Sequence, residues 1–447
     1  ANENAMPPGD QSNPGTADDG GLAAWAAQHL GATVLAETAL RPSATGGDGG
    51  LGLFARAALA PGDVLLRVPL SACLSLVNPR LREDEEALDL LAALARHGPQ
   101  VKLAVLVALE LARAPSQFEP WLARWPKATE GSLGWAEGGA EWSALARGLG
   151  EPAVRALHGQ HLAMATRAWN TVLGPAAARA ADGGEGACTS VGRLSWEYWL
   201  FALSMVLSRA LDLRLNDESQ LAIVPLVDML NHTRGEGDSC RVRFDSGSQS
   251  FELVAAAHVE EGIELHICYG PKGNEELLAC YGFALPQNNH DRLSLPLPMA
   301  PADEPPMVTM QKLGMLPSTF LKGLRHSDNG SKIASLEIVW DDHLKKCAHL
   351  SPEMLLLLRL STLDPSELSE LPHVFEGHPA SPASEARAWA QLAAICNSAL
   401  SSAEQAEFKK ENSDGPVTVL SSSVRELAMA AGEFAKRRAA EAAAVPE

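Results

Sequence analysis

The sequence predicts an α+β protein in which a long helical insertion separates two blocks of short strands and a helical tail follows them. Three observations support this prediction. Strand-like alternation occurs before about residue 70, and it returns from Ala222 to Cys268. The residues between them, about 81–190, follow a helical period, and so does the chain from about Met307 to its end. Since alternating βαβ units would mix the two patterns evenly, one fold with an insertion explains the order more simply.

The composition indicates a folded and acidic chain. Hydrophobic residues make up 46% of the 447 residues, which is enough for a core and too much for a disordered chain. The 36 Lys and Arg residues against 55 Asp and Glu residues give a net charge of −19. This charge disfavours phosphate backbones, so we expect no direct binding of nucleic acid, whereas a basic protein would be attracted.

The cysteines and the apolar runs restrict the class of protein further. The seven cysteines form neither a CxxC nor a CxC pair, which argues against a thiolate zinc site, and their odd and sparse number argues against a disulfide scaffold. We therefore expect no metal and a reducing compartment. No apolar run reaches the roughly 18–20 residues of a membrane span. Residues 1–21 are predicted to be disordered, and their acids, without Lys or Arg, are not typical of a transit or signal peptide.

Turn residues and periodicity locate the individual elements. Period-2 alternation bounded by Gly or Pro predicts strands, and i, i+3, i+4 stripes predict helices. The predicted strands are Leu51–Ala55, Val64–Val68, Ala222–Leu226, Arg241–Phe244, Phe251–Ala255 and Ile263–Cys268. The main predicted helices are Val101–Leu111, Trp196 to about Leu211 with Ser195 as N-cap, Ile333–His349, Ser351–Thr362, Ala383–Glu411 and Val419–Ala444. The proline-rich residues 296–306 are typical of a linker.

Four segments carry side chains whose chemistry needs an explanation. The first is the glycine-rich strand start Gly49–Ala55, and the second is Arg209 near the end of a helix. The third, Val224–His232, runs from an apolar strand into a turn that contains Asp, Asn and His. The fourth, Ile263–Phe283, holds two of the three tyrosines of the chain. Each also has an ordinary structural explanation: a closely packed turn, a salt-bridged arginine, an Asx-type turn and core tyrosines.

Taken together, these segments resemble the SET-domain protein methyltransferases, and in particular the Rubisco large-subunit methyltransferase branch. The specific match is D-x-x-N-H at residues 228–232, followed by Y-G, N-x-E-L and Y-G-F between residues 269 and 283. The resemblance implies a knotted SET β-core over residues 22–295, split by the helical insertion. It also implies that residues 297–447 form an all-helical domain that binds the protein substrate.

The resemblance further implies S-adenosylmethionine (SAM) as the cofactor. Arg209 resembles the arginine that pairs with the carboxylate of the cofactor, and Asn231 resembles the ligand of its methionyl end. The backbone of His232 resembles the group that reads the adenine edge, and Asp228 resembles the residue that braces the turn. The implied cofactor residues are Gly50, Leu51, Gly52, Arg209, Asp228, Asn231, His232, Tyr269 and Tyr281.

Methyl transfer to a lysine ε-amine of a protein substrate is the activity that the resemblance implies. Tyr269 resembles the catalytic tyrosine, and Ile267, Tyr281 and Phe283 resemble the lining of the channel for the target amine. Residues 241–243 stand where related enzymes carry an aromatic residue for that amine, and the branch includes an actin-histidine methyltransferase, so a histidine acceptor is an alternative. A further alternative is a SET-fold structural subunit of a larger assembly, such as plastid transcription machinery. By resemblance we expect the chloroplast stroma, with the cytosol or nucleus as alternatives.

Overall fold

The computed structural model describes residues 21–43, 50–146, 148–182, 189–215, 218–233, 238–298, 325–326, 332–340, 348–350, 352–405 and 415–445. The predicted disordered N-terminus lies outside these residues, apart from Gly21, which begins a helix. Most of the predicted linker, residues 299–306, also lies outside them.

Several of the helices begin at a side-chain cap or at a proline in the first turn. In chain order they are α1 (Gly21–Leu30), α2 (Glu85–Ala93), α3 (Pro99–Ala112), α4 (Glu119–Leu122), α5 (Ala140–Leu145), α6 (Glu151–Ala168), α7 (Gly174–Asp182), α8 (Trp196–Arg209), α9 (Asn274–Glu276), α10 (Pro352–Ser361), α11 (Leu371–Phe375), α12 (Pro382–Gln405) and α13 (Pro416–Ala443). The predicted cap of α8 is confirmed, because Ser195 Oγ accepts the backbone N–H of Tyr198 at 3.2 Å.

The strands are short and come from distant parts of the sequence. In chain order they are β1 (Thr33–Val34), β2 (Thr38–Pro42), β3 (Leu51–Ala55), β4 (Val64–Pro69), β5 (Leu74–Ser75), β6 (Leu211–Leu215), β7 (Glu218–Ile223), β8 (Asn231–His232), β9 (Cys240–Asp245), β10 (Ser250–Ala255), β11 (Glu264–Ile267), β12 (Arg292–Pro298), β13 (Arg325–His326), β14 (Lys332–Trp340) and β15 (Ala348–Leu350).

The described residues fall into two compact units. The first includes the described residues within the ranges 1–134, 157–271 and 279–283, and the second includes those within 135–156, 272–278 and 284–447. The first unit contains three sheets, with strand orders β1-β4-β10-β9, β2-β3-β11-β8 and β5-β7-β6. Its core is apolar, and helices α3 and α8 pack together within it.

The β4-β10-β9 pairing is fixed by charge as well as by apolar burial. Glu252 on β10 lies opposite Arg67 on β4 and opposite Arg243 on β9. Arg67 Nε donates to Glu252 Oε1 at 2.6 Å, and Arg243 Nε donates to Oε2 at 2.7 Å. Since a slip of one residue would separate these charges, the triad stabilises the observed register.

The second unit is not all-helical, so this part of the prediction is wrong. It contains the sheet β12-β14-β13, in which β15 is also paired to β14. These strands precede helices α10 to α13 in the chain. Strand β14 and strand β15 occupy most of the range predicted as a helix at 333–349. The predicted linker also begins inside strand β12, whose Leu293, Leu295 and Leu297 are buried in alternation.

The boundary between the units differs from the predicted division at residue 296. Two earlier segments, 135–156 and 272–278, belong to the second unit. Gly148 and Gly150 explain part of this, because a Cβ at either position would collide with the side chains of Ser421 or Leu420 on α13. The carboxylate of Asp291 ties in the other segment, since it accepts hydrogen bonds from Asn274 and from Ser423.

Candidate active site

The sheet β2-β3-β11-β8 brings two of the sequence motifs together in the first unit. Strand β11 pairs antiparallel with β3 and parallel with β8, so it lies between the glycine-rich strand and the Asn231–His232 pair. A Cβ on Gly52 would overlap the carboxylate of Glu264 on β11 and would lie 3.0 Å from Asn231 Nδ2. The glycine is therefore needed because two polar side chains approach the backbone there.

Asn231 is held by its amide nitrogen. Its Nδ2 donates to the backbone carbonyl of Leu51 at 3.1 Å and to Glu264 Oε1 at 2.8 Å. Both partners are acceptors only, so the nitrogen must face them and the amide oxygen must face away. No residue that the structure describes donates a hydrogen bond to Asn231 Oδ1.

Asp228 lies at the centre of a buried polar cluster. Its side chain is fully buried, and its two carboxylate oxygens accept the indole N–H groups of Trp121 and Trp125, each at 2.9 Å. Burial raises the pKa of Asp228 to about 6, although Arg209 and the two indoles act in the opposite direction. The turn that presents it begins at Leu226, which has a strained φ of 70°.

Arg209 lies against this cluster and is only partly satisfied. Its Nη1 donates to the backbone carbonyl of Asp228 at 3.0 Å and lies 3.7 Å from the carboxylate. Its Nη2 lies 3.6 Å from Glu130, and the guanidinium lies 5.8 Å from the ring centre of Trp125. The Nε–H is buried and finds no acceptor among the described residues. Arg209 is thus oriented by neighbours and retains a donor for a further acceptor.

Four aromatic rings from two segments form a cluster beside Asn231. Tyr269 stacks on His232 with ring centres 4.9 Å apart, and on Tyr281 with ring centres 5.0 Å apart. Phe283 lies 6.0 Å from both His232 and Tyr281. The backbone N–H of Tyr269 donates to His232 Nδ1 at 3.1 Å, which places the proton of a neutral His232 on Nε2.

The hydroxyl of Tyr269 is a neutral donor. It donates to the backbone carbonyl of Leu230 at 2.7 Å. Desolvation raises the pKa of Tyr269 well above its ordinary value, because the negative phenolate is disfavoured more than the nearby Arg209 favours it. Tyr269 therefore acts as a hydroxyl and not as a phenolate base.

Most of the predicted site residues lie in one neighbourhood of the first unit, with two differences. Asp228 was predicted among the cofactor residues, but its carboxylate is fully buried and both oxygens are occupied, so it positions Arg209 instead. Ile267, predicted to line a channel, is only 5% exposed and belongs to the hydrophobic core. Residues 241–243 do not supply a ring, and Arg243 is engaged by Glu252.

Sequence reasoning missed three contributors to this site. Glu264 lies between Gly52 and Asn231, while Trp121 and Trp125 supply the donors for Asp228. The signal for Glu264 was an acid on the strand face opposite Leu265 and Ile267. The tryptophans gave no such signal, because buried indoles are ordinary core residues.

The arrangement suits a small organic molecule with a carboxylate and donor groups. Arg209 offers the carboxylate site, Asn231 offers an amide oxygen, and the rings around Tyr269 offer apolar walls. Within the part of the chain that the structure describes, no three His, Cys, Asp or Glu residues are grouped to hold a metal ion. Among the same residues, no helix combines the length and apolarity of a membrane span.

Comparison with curated proteins finds relatives that carry out methyl transfer. A family model described as Rubisco LSMT substrate-binding matches residues 328–425. The ribosomal lysine N-methyltransferase set10 of Schizosaccharomyces pombe is 33% identical over 112 residues, which are 24% of this chain and 20% of that protein. The actin-histidine N-methyltransferase of Homo sapiens is 31% identical over 119 residues, which are 24% of this chain and 18% of that protein. The match spans about a fifth of the length of these relatives.

The fold is similar to that of solved structures over nearly the whole chain. The SET domain of LSMT bound to lysine and AdoHcy aligns with a TM-score of 0.70 and 18% identity, covering 94% of this chain and 91% of that chain. Rubisco LSMT bound to AdoMet aligns with a TM-score of 0.69 and 18% identity, covering 94% and 92%. The predicted α+β SET fold, followed by a substrate-binding domain, is therefore confirmed, except that the predicted all-helical tail contains a sheet.

Proposed function

We propose that this chain, which is similar to the Rubisco LSMT-like SET-domain protein methyltransferases, transfers a methyl group from SAM to a side chain of a protein substrate. The observation that carries the proposal is the stacking of Tyr269 between His232 and Tyr281, with its neutral hydroxyl fixed by Leu230. The arrangement provides an apolar wall with a single polar group, as alignment of an amine with a methyl donor requires.

The residues present fit SAM. The buried Nε–H of Arg209 lacks an acceptor among the described residues, as expected for an arginine that receives an α-carboxylate. Asn231 Oδ1 is an unused acceptor for the α-ammonium group. Gly52 removes the side chain that would otherwise fill the space beside Asn231. The methionyl end of SAM would be held by Arg209, Asn231 and residues 50–52. Tyr281 would face the remaining part of SAM.

The residues of the chain have three tasks in this reaction. When bound, SAM would supply an electrophilic methyl group on a sulfonium, whose leaving group is a neutral thioether that needs no acid. The rings of Tyr269, Tyr281 and Phe283 exclude water and disfavour a charged ammonium, so the acceptor reacts as a neutral amine. The hydroxyl of Tyr269 donates its hydrogen bond to the backbone carbonyl of Leu230, so its lone pairs can accept an N–H of the acceptor amine and orient the nitrogen lone pair.

A lysine ε-amine is the acceptor that we propose first. The aromatic walls match a long apolar stem, and the ribosomal lysine N-methyltransferase of fission yeast is among the relatives. A lysine has an ordinary pKa of about 10.4 and must lose a proton before it reacts. The rate with a lysine acceptor is therefore expected to rise with pH through the range from 7 to 9.

A histidine acceptor is the second candidate, and a specific observation favours it. Actin-histidine N-methyltransferases from several mammals match this chain at 31% identity. Histidine has an ordinary pKa of about 6.5, so it is already neutral at pH 7.5. The rate with a histidine acceptor would thus be level between pH 7.5 and 9, and this difference separates the two acceptors.

The proposal is tested with the full chain in two steps. Calorimetric titration with SAM comes first, and absence of both heat and thermal shift at millimolar SAM would overturn the proposal. The protein is then incubated with methyl-labelled SAM and a protein extract from its own source. Mass spectrometry locates the labelled residue, and its identity as lysine or histidine decides the acceptor.

A structural subunit of a larger assembly remains the alternative from a different functional class. A scaffold could keep Asn231 and His232 to bind SAM, but it would not need the Tyr269 ring stacked on His232 for methyl transfer. The chain would then bind SAM without transferring label to any protein, and it would purify in a stable complex. A chloroplast location, with the cytosol or nucleus as alternatives, stays a prediction.

A further inference from the structure

We propose that Glu264 is a positioning residue that orients the amide of Asn231, so that Asn231 Oδ1 receives the α-ammonium group of the cofactor. The inference rests on the proposed function, because it concerns the recognition of SAM. The juxtaposition that carries it is the contact of Glu264 Oε1 with Asn231 Nδ2 at 2.8 Å, in the space that Gly52 leaves open because it has no side chain.

The geometry of the sheet creates this contact. Glu264 is the first residue of β11, the strand between β3 and β8. Its side chain is 11% exposed and occupies the space that a Cβ on Gly52 would need. The same carboxylate oxygen lies 3.7 Å from His266 Nε2 on the same strand. Glu264 is thus enclosed between two cofactor-binding segments rather than pointing into solvent.

The chemistry of the amide makes the orientation unambiguous. Asn231 Nδ2 carries two hydrogens, and the carbonyl of Leu51 and the carboxylate of Glu264 accept one each. A flipped amide would direct its oxygen at two acceptors and would lose both hydrogen bonds. With Glu264 removed, only Leu51 would oppose the flip, and the oxygen would no longer be fixed.

An oriented amide oxygen selects for a donor, and an ammonium group is the donor that SAM carries at this end. Asn231 Oδ1 has no partner among the described residues, so a ligand donor would satisfy it. Arg209 has the complementary role, because its unused Nε–H is a donor and selects for the carboxylate of the ligand. The two side chains together would read both charged groups of an α-amino acid.

The test measures binding rather than turnover. S-adenosylhomocysteine and an analogue that lacks the α-amino group are titrated calorimetrically into the full chain and into Glu264→Ala, Glu264→Gln and Glu261→Ala. We expect Glu264→Ala to bind S-adenosylhomocysteine at least tenfold more weakly and to bind the analogue as the wild type does. Glu261 is an exposed acid just before the strand, so Glu261→Ala should leave both affinities unchanged.

Glu264→Gln and a double variant identify how the residue acts. A glutamine oxygen still accepts the Asn231 N–H, so Glu264→Gln should recover most of the affinity for S-adenosylhomocysteine. In an Asn231→Ala background, Glu264→Ala should weaken binding no further. The proposal is overturned if Glu264→Ala weakens both ligands equally or neither, if Glu264→Gln behaves like Glu264→Ala, or if the two residues act additively. A wild type that binds neither ligand would instead refute the proposed function.

Discussion

The hydroxyl of Tyr269 donates a 2.7 Å hydrogen bond to the backbone carbonyl of Leu230, the residue that precedes the Asn231–His232 pair. The bond joins two segments that are 39 positions apart in the sequence. It also determines what the hydroxyl can do. Because its hydrogen is donated to Leu230, the hydroxyl oxygen can act towards an incoming amine only as a hydrogen-bond acceptor. The catalytic role that we propose for Tyr269 is therefore alignment of the acceptor nitrogen.

We expect Tyr269→Phe to lower kcat by about 100-fold or more, because the acceptor nitrogen loses the group that orients it. The affinity for SAM should change less than threefold, since the aromatic stacking on His232 and Tyr281 is retained. Turnover is measured with labelled SAM and the identified protein acceptor, and affinity is measured by calorimetry.

Tyr198→Phe is the matched control. Tyr198 is the one tyrosine of the chain outside the aromatic cluster, and it lies in the first turn of α8. It should leave turnover unchanged. Equal turnover of Tyr269→Phe and the wild type would remove Tyr269 from the catalytic role, and a large fall in SAM affinity would make its role one of binding.

Gly52→Ala is expected to abolish or strongly weaken SAM binding. The new methyl group would overlap the carboxylate of Glu264 and crowd Asn231, so one of these side chains must move. Gly159→Ala is the control, since Gly159 lies within α6 and a Cβ there meets no atom within 4 Å. The control should bind SAM normally and gain about 0.5–1 kcal/mol of stability from the helix propensity of alanine. An unchanged affinity of Gly52→Ala for SAM would refute the close approach of the Glu264 and Asn231 side chains to Gly52.

Local signals were sufficient for the elements whose boundaries lie in their own sequence. Strand β3 has the predicted bounds Leu51–Ala55, and helix α8 begins after the predicted cap Ser195. In both cases the turn or cap residue and the periodicity occur within a few positions of each other. The pattern of the element therefore needed no information from distant residues.

The sheet of the second unit shows where local signals failed. Leu293, Leu295 and Leu297 alternate as a strand should, but Pro296 and Pro298 gave the segment the character of a linker. Strand β12 lies at an edge of the sheet, where a strand tolerates residues that cannot donate a hydrogen bond. Its partner β14 lies more than 30 residues later, and such a pairing has no local signature.

The site was predictable in its motifs and not in its supporting contacts. Asn231, His232 and Tyr269 were found through the resemblance, and the structure brings them together. The roles of Glu264 and the tryptophans depend on which side chains the fold places beside Asn231 and Asp228. Those neighbours come from different strands and helices, so only the tertiary structure reveals them.

Asp228→Asn should remove a pH-dependent part of the stability. Burial raises the pKa of Asp228 from an ordinary 3.8 to about 6, so the folded state holds a proton that the unfolded state has released. The contribution of Asp228 to stability is therefore greatest below pH 4 and falls as the pH rises through 6. Urea unfolding from pH 4 to 7.5 should show a steeper fall of stability in the wild type than in the variant, because the variant lacks the Asp228 part of it.

The same variant should also be less stable than the wild type at pH 4 by about 1–3 kcal/mol. An asparagine offers one oxygen and one NH₂ group, so either Trp121 or Trp125 loses its acceptor. Trp125 lies beneath Arg209, so SAM affinity should fall as well. Identical pH profiles for the variant and the wild type would show that Asp228 does not titrate in this range.

Glu275→Gln is expected to stabilise the protein at alkaline pH. The Glu275 side chain is partly buried in the second unit, and its Oε2 is buried without a hydrogen-bond partner among the described residues. Desolvation, with a smaller effect of the nearby Asp291, raises its pKa from 4.5 to about 7. The folded state then binds more protons than the unfolded state between these values, so the stability of the wild type falls as the pH rises from 4.5 through 7.

Glutamine carries no charge to desolvate at position 275. The free energy of unfolding of Glu275→Gln should therefore exceed that of the wild type by about 1–3 kcal/mol at pH 8, and the difference should shrink towards pH 4.5. Chemical unfolding at pH 4.5, 6, 7 and 8 measures it, and a stability difference that does not change with pH would show that the Glu275 carboxylate is not desolvated as the structure indicates.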